Sequence, residues 1–409
     1  MAEPKLVSIN EPSASLKQCS SPEWKAFLSL GFRPLYIAGA SWALISLAIW
    51  VFMPQFIPSP WLGMAWHAHE MLWGFIATIA AAFLLTASAT WTGFNPIKGK
   101  PLGWLCVLWV LARIGYLLPG HNAIVVAGAL EVAFFGIAGI ALARVMVKGK
   151  SLRNYGVPVL MIGLGCIANT LFLMAVLRQD YLGLMRQFNL GMLVMAILAL
   201  LIARRVIPFF TMRMVPGLQL PMHTRTGHAQ MVLGGLAVLL IAAGQNTLLA
   251  AVLAAISLIA LWQWFAWKPM SVLHKPLLWI LFLGYLFLAL GLLYAAFLYS
   301  GLAQGAWARP AIHAHIIGIG GFCVLIIGML TRTALGHLGY PIALDRSMLA
   351  SYYLVLASFA LRLGALWPSS LSLMLLHTAT ACWIGAFGLY LWRFLPRLIR
   401  PRADAAANR

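Results

Sequence analysis

The sequence predicts an all-α integral membrane protein of about twelve transmembrane helices. Of its 409 residues, 63% are hydrophobic and only 9% are charged, whereas a soluble domain carries roughly 25% charged residues. Apolar stretches longer than about 18 residues, the length that a helix needs to cross a bilayer, recur along the chain. The alternating pattern of transmembrane β-strands is not visible.

Twelve apolar segments, separated by proline, glycine and asparagine residues, account for this pattern. In order, spans one to twelve cover approximately residues 33–53, 64–90, 102–118, 122–146, 155–178, 182–203, 229–245, 247–267, 276–299, 309–331, 346–366 and 369–395. They predict one polytopic domain over residues 31–398, between cytoplasmic tails of residues 1–30 and 399–409. Because residues 1–30 are polar, no cleavable signal peptide is expected.

The net charge of +20 follows the positive-inside rule and is not gathered in one patch. Of the 28 Lys and Arg residues, only Arg178, Arg186 and Arg309 fall on the side predicted to be extracytoplasmic. Arg113 and Arg362 lie within spans, and all the others fall on the opposite side. Both termini are therefore predicted to be cytoplasmic. The expected partner is the lipid bilayer, and nucleic acid is not expected.

The most specific pattern is a pair of His-Ala-His motifs at the predicted outer ends of spans two and ten. They contain His67 and His69 in span two, and His313 and His315 in span ten. Side chains two apart on a helix point about 200° apart, so each motif presents imidazoles to opposite faces. One imidazole from each span can hold a haem or a metal, and the other pair is free for a second site. A lone histidine is more often structural, but two motifs at matching depth favour ligation.

Other ionisable residues are predicted at the same level of the membrane, where each is costly unless it is paired or ligating. Glu70 follows the first motif and is expected to orient a ligand or to relay protons. Arg113 and Arg186 are expected to pair with haem propionates or another anion, and Arg309 and Arg362 are also available there. The alternative for Arg113 is a structural ion pair with the glutamate of span four.

Spans two, six and ten share further features. In spans two and ten, Leu-Thr follows near the inner end, at residues 85–86 and 330–331, and a Gly-aromatic segment then leads to a proline. Span six ends in a proline-containing segment but lacks the histidines. These similarities suggest a unit of four helices that is used three times.

Several ordered motifs resemble the NnrS family. They are Gly-Phe-Arg-Pro-Leu-Tyr at 31–36, Trp-His-Ala-His-Glu-Met at 66–71, Arg-Val-Ile-Pro-Phe-Phe at 205–210, Thr-Arg-Thr-Ala-Leu-Gly-His at 331–337 and the second His-Ala-His with its following glycines. The resemblance covers about residues 30 to 395. It implies a bacterial multi-pass inner-membrane protein that contains haem, of b type, and copper. It also implies a place in nitric-oxide metabolism and in protection against nitrosative stress.

A more distant analogy of architecture is with the catalytic subunits of haem-copper oxidases and nitric-oxide reductases, whose twelve helices form three arcs of four. Those subunits carry haem ligands on helix two and a His-x-His on helix ten. Here, His223 and His228 precede span seven on the cytoplasmic side, so spans six and seven provide no histidine cluster for copper. Any copper site must therefore be built differently.

Three hypotheses of function remain. The first is a haem- and copper-binding protein, with His67, His69, His313 and His315 as ligands, that binds or transforms nitric oxide. It includes an oxidoreductase whose electron donor is unknown. The second is an ion-coupled secondary transporter with an intramembrane Arg/Glu/His site, which predicts inverted halves and broken helices. The third is a non-catalytic nitric-oxide sensor or metal-handling protein, which binds its ligand without turnover.

Overall fold

The structure of the protein is a computed structural model that describes residues 21–61 and 63–406. Every regular element within these ranges is a helix. Residues 1–20 and 407–409, which belong to the two predicted tails, lie outside the described residues.

Twelve main helices follow the twelve predicted spans in order. They are α1 (Phe32–Phe52), α2 (Gly63–Thr92), α3 (Lys100–Gly115), α4 (His121–Lys148), α5 (Leu152–Leu177), α6 (Tyr181–Met214), α7 (Thr224–Ala242), α8 (Asn246–Ala266), α9 (Pro276–Tyr299), α10 (Pro310–His337), α11 (Arg346–Ala365) and α12 (Ser372–Leu398). Within the described ranges, eleven are long and apolar enough to cross a membrane. The exception is α3, whose 16 residues extend about 24 Å, less than the roughly 30 Å of a hydrocarbon core. The predicted all-α membrane fold class is confirmed.

Most helices pack against their neighbours in the chain, and the chain closes on itself. Helix α3 packs along α4, and α11 packs along α12. Helix α12 in turn packs along α1, so that the last and first main helices are in contact. The closed arrangement leaves a centre that only a few helices occupy.

Helices α2, α6 and α10 meet at this centre. Helix α6 contacts both α2 and α10, and these two also contact each other. The buried share of the most apolar window is 78% in α2, 78% in α6 and 67% in α10, against 28–61% in the other spans. The three spans that the sequence singled out are therefore the innermost ones, as three arcs of four helices would place them.

Helices α2 and α10 change to π-helical hydrogen bonding directly after their His-Ala-His motifs. The π-helical segments are Glu70–Ala77 and Ile316–Cys323, of eight residues each. A shorter one, Gly163–Ala168, lies in α5. Such turns are rare in proteins and frequent at functional sites. Their equal length and position support the similarity between spans two and ten.

Close packing between α4 and α5 provides a test of the fold. A Cβ atom added at Gly165 would lie 2.1 Å from Cγ of Phe135. We therefore expect Gly165→Ala to cost about 1–3 kcal/mol through overpacking. The measurement is the temperature at which protein in detergent loses its monodisperse elution peak. Gly235→Ala is the matched control, because a Cβ there meets no atom within 4 Å. Equal heat resistance of the two variants would contradict the packing of α4 against α5.

Candidate functional site

The structure divides the four motif histidines among three environments. His69 is buried in a network of charged and polar side chains between α2, α3, α4 and α5. His67 and His315 line one cavity, and His313 contacts a side chain of α6 on another face of α10. Among the described residues, no three His, Cys, Asp or Glu side chains are grouped so that they could hold a metal ion. Only His67 and His315 therefore share a cavity between the two motifs.

The network around His69, which we call the charge network, has two basic and two acidic side chains. Nδ1 of His69 lies 2.8 Å from Oε1 of Glu70, and Nε2 lies 3.0 Å from Oδ1 of Asn169 and 3.1 Å from Oε2 of Glu131. The Arg113 guanidinium donates to Oε2 of Glu70 at 2.6 Å and also to Oε1 of Glu131. The side chains of all four ionisable residues are at most 3% exposed, so their charges have to compensate one another.

The hydrogen-bond partners of His69 determine its charge. Nδ2 of Asn169 donates to Oε2 of Glu131 at 2.9 Å, so the atom that Asn169 turns to His69 is its acceptor oxygen. Both imidazole nitrogens then face acceptors, and both have to donate. His69 is therefore an imidazolium, which together with Arg113 balances the two carboxylates. In this arrangement no nitrogen of His69 has a lone pair for a metal, and its assignment as a ligand stays a prediction.

Three side chains that the sequence did not single out complete the charge network. The indole Nε1 of Trp42 donates to Oε2 of Glu70 at 2.5 Å, and the hydroxyl of Tyr116 donates to Oε2 of Glu131 at 2.9 Å. The third is Asn169, whose polar amide within an apolar span was the available signal. Trp42 and Tyr116 resemble the many aromatic residues that pack or lie at interfaces, so their residue types gave no such signal.

A cavity of about 380 Å³, which we call the histidine cavity, lies between α1, α2, α6, α10, α11 and α12. His67 enters it from α2 and stacks on Trp50 with ring centroids 5.3 Å apart. Nδ1 of His67 is buried and has no hydrogen-bond partner. On α10, Gly318 also lines the cavity, and a Cβ atom there would meet nothing within 4 Å. The cavity therefore has free space between the imidazole of His67 and the surface of α10 at Gly318.

His315 enters the histidine cavity from α10 as a neutral imidazole. Its Nδ1 donates to the carbonyl oxygen of Ala311 at 2.6 Å, and its Nε2 accepts from Nε of Arg362 at 3.1 Å. The lone pair that could bind a metal is thus on Nε2, where it accepts the hydrogen bond from Arg362.

His313 lies outside the histidine cavity, against α6. Its Nε2 lies 3.0 Å from Oδ1 of Asn189, and its Nδ1 is buried without a partner. A second cavity of about 20 Å³ borders His313, Asn189 and Tyr299. That volume holds about one water molecule, so it is too small for a haem.

The arginines at the histidine cavity are Arg309 and Arg362. Arg113 belongs to the charge network, as the structural alternative predicted, and Arg186 is exposed on α6 and does not line the histidine cavity. The propionate role of Arg113 and Arg186 stays a prediction. Arg309 and Arg362 are the arginines that line the cavity together with His67 and His315, so they could bind an anion there.

Fold and site together define a multi-span α-helical membrane protein with a cavity between two histidine-bearing central helices. The model of one family, described as NnrS protein, matches residues 26–402, nearly the whole chain. The chain belongs to the NnrS family, and the predicted resemblance is confirmed. This membership supports a membrane protein of the nitric-oxide response. No match was found among curated proteins.

The neutrality of the charge network predicts how substitutions combine. Glu131→Gln and His69→Gln each leave an uncompensated buried charge and are expected to destabilise the protein by about 3–5 kcal/mol. The double variant removes one charge of each sign, so it should be more heat-resistant in detergent than either single variant. Tyr116→Phe is the control, because it removes one hydrogen bond and no charge and should cost about 1 kcal/mol. Additive losses in the double variant would mean that His69 is uncharged.

Proposed function

We propose that the protein binds haem in the histidine cavity and takes nitric oxide as its small-molecule ligand. The observation that carries this proposal is the convergence of two buried imidazoles, from α2 and α10, on one cavity. Its volume of about 380 Å³ falls in the range of small-molecule sites, roughly 300–1,000 Å³. Membership of the NnrS family adds support, because this family is known for haem and copper.

The side chains of the histidine cavity suit a b-type haem. His67 has a buried nitrogen without a partner, which is the kind of atom that a ligand satisfies. The guanidinium groups of Arg309 and Arg362 can form charge-assisted bonds with propionates. Bound haem would supply a redox-active iron that binds diatomic ligands, and nitric oxide would compete with one of the two imidazoles for it.

Arg362 is the residue that has to move for His315 to ligate. In the structure it donates to Nε2 of His315, the only nitrogen of that ring with a free lone pair. Release of this bond would expose Nε2 and would leave the guanidinium available for an anion. Arg362 thus links the state of His315 to the presence of a negatively charged group.

We also propose copper at the histidine cavity. Thioether, thiolate and imidazole groups suit copper, above all as Cu(I). The sulfur-containing residues that line the cavity, and that haem held by the two histidines would leave free, are Met64, Met71, Met185, Met192 and Cys323. The imidazole of His313, with its unpartnered Nδ1, is a further candidate on the other side of α10.

Glu70 is best described as a positioning residue. It contacts His69, Arg113 and Trp42 and does not line the histidine cavity. Because it holds the charge network together, it fixes the orientation of the segment that carries His67. We keep the predicted proton-relay role of Glu70 in the proposal. That role requires water to reach the charge network.

An ion-coupled transporter is the second candidate function. The charge network of His69, Glu70, Arg113 and Glu131 is the observation that favours it, because buried ionisable residues within membrane spans are typical of ion and substrate pathways. The charge network would then be the ion-coupling site. Uptake of a substrate into vesicles that contain the protein would identify a transporter. Binding of nitric oxide without its consumption would identify a sensor.

The first experiment is a reduced-minus-oxidised optical spectrum of the purified protein, repeated after addition of nitric oxide. We expect a Soret band that shifts with nitric oxide. His67→Ala and His315→Ala should each lose most of this band. His377→Ala is the matched control, because His377 is exposed on α12 and outside the histidine cavity. Full haem content in both cavity variants would contradict the ligand assignment.

We further propose an inner-membrane location with both termini in the cytoplasm. The support is the concentration of Lys and Arg residues on one side of the spans. A fluorescent protein fused to the C-terminus should therefore fold and fluoresce, while alkaline phosphatase at the same point should be inactive. Fused to the loop between α11 and α12, the phosphatase should be active. An active phosphatase at the C-terminus and an inactive one between α11 and α12 would show that the orientation is the reverse of the one proposed.

A further inference from the structure

We infer that the centre of the bundle contains a second binding site, for one small apolar molecule of the size of a diatomic gas or xenon. It is a cavity of about 90 Å³ between α1, α2, α6, α9 and α10, which we call the apolar cavity. It is distinct from the histidine cavity, and no imidazole, thiol or charged side chain lines it.

The lining of the apolar cavity determines what it can hold. Its side chains are aliphatic, phenylalanine or methionine, with Tyr36 as the one exception. A buried water molecule needs two to four polar partners, and the only polar side chain that this lining offers is the hydroxyl of Tyr36, which has no hydrogen-bond partner. The lining therefore favours an apolar occupant over water. An engineered apolar cavity of roughly 150 Å³ binds benzene or xenon. The smaller volume here selects for ligands smaller than benzene.

The apolar cavity and the histidine cavity share no lining residue, but their linings come close to each other on three helices. On α2 the two cavities are lined by Ile76 and Ile79, and on α6 by Met192 and Met195. Three residues of helix span only about 4.5 Å. On α10 the neighbours Cys323 and Phe322 line the two cavities. The two cavities therefore lie end to end along the same three central helices.

The α6 side chain of the histidine cavity that lies nearest in sequence to the apolar cavity is a flexible one. Met192 is unbranched and has three rotatable bonds, so it changes rotamer more easily than a branched side chain. No charged group lines the apolar cavity, so an apolar molecule meets no desolvated ion on its way. The geometry points to a reservoir from which small apolar ligands reach the histidine cavity. Nitric oxide belongs to this class of ligand, as do dioxygen and xenon.

Xenon is the probe that tests this inference, because its binding requires no haem. Crystals or nanodisc samples of the purified full chain are exposed to xenon under pressure, and the site is located by anomalous diffraction or by ¹²⁹Xe NMR. We expect a xenon atom next to Ala199, which lines the apolar cavity from α6. In Ala199→Leu the larger side chain fills the space, and the xenon signal should disappear. Ala80→Leu fills the same cavity from α2 and provides a second test if the first variant does not fold.

The matched control is Ala251→Leu, the same change at an exposed residue of α8, which should keep the xenon signal. The inference is overturned if the wild-type protein shows no xenon at this place, or if ordered water or a lipid chain occupies the cavity. It is also overturned if both filling variants fold and retain the signal. A missing Soret band would refute haem binding without changing the xenon result, so the two proposals can fail separately.

Discussion

The structure depends on the compensation of four charges inside the membrane. His69 and Arg113 carry the positive charges, and Glu70 and Glu131 the negative ones, in a place where an unpaired charge would cost several kcal/mol. The pairs connect α2 to α3 and α4, and Asn169 adds α5. Because these helices are tied at one point, the rotation of α2 about its own axis is fixed.

That rotation decides where the candidate site lies. With His69 held in the charge network, His67 must point about 200° away, and it points into the histidine cavity. Helix α10 repeats the arrangement, since His313 is held by Asn189 of α6 while His315 enters the same cavity. Each His-Ala-His motif therefore uses one imidazole to anchor its helix and presents the other to the cavity.

The central position of α2, α6 and α10 links the site to the rest of the bundle. Both cavities lie along these helices, and both motifs are followed by a π-helical segment of equal length. Residues of both cavities belong to these segments or lie next to them, as Ile76 and Phe322 do. The π-helical segments therefore lie at the two cavities, which agrees with the frequent occurrence of such turns at functional sites.

The sequence by itself determined the order of the twelve main helices and the approximate position of each, because hydropathy and helix breakers act over short stretches of chain. It also determined the motifs and the family and singled out spans two, six and ten, while their place at the centre of the bundle came from the packed structure. It could not determine which imidazole of each pair reaches the cavity, or that Arg309 and Arg362 lie there instead of Arg113 and Arg186. Those outcomes depend on partners such as Asn169, which lies 100 residues from His69. The packing of the helices determines these positions, because a buried charge is stable only beside a compensating group, and that group comes from another helix.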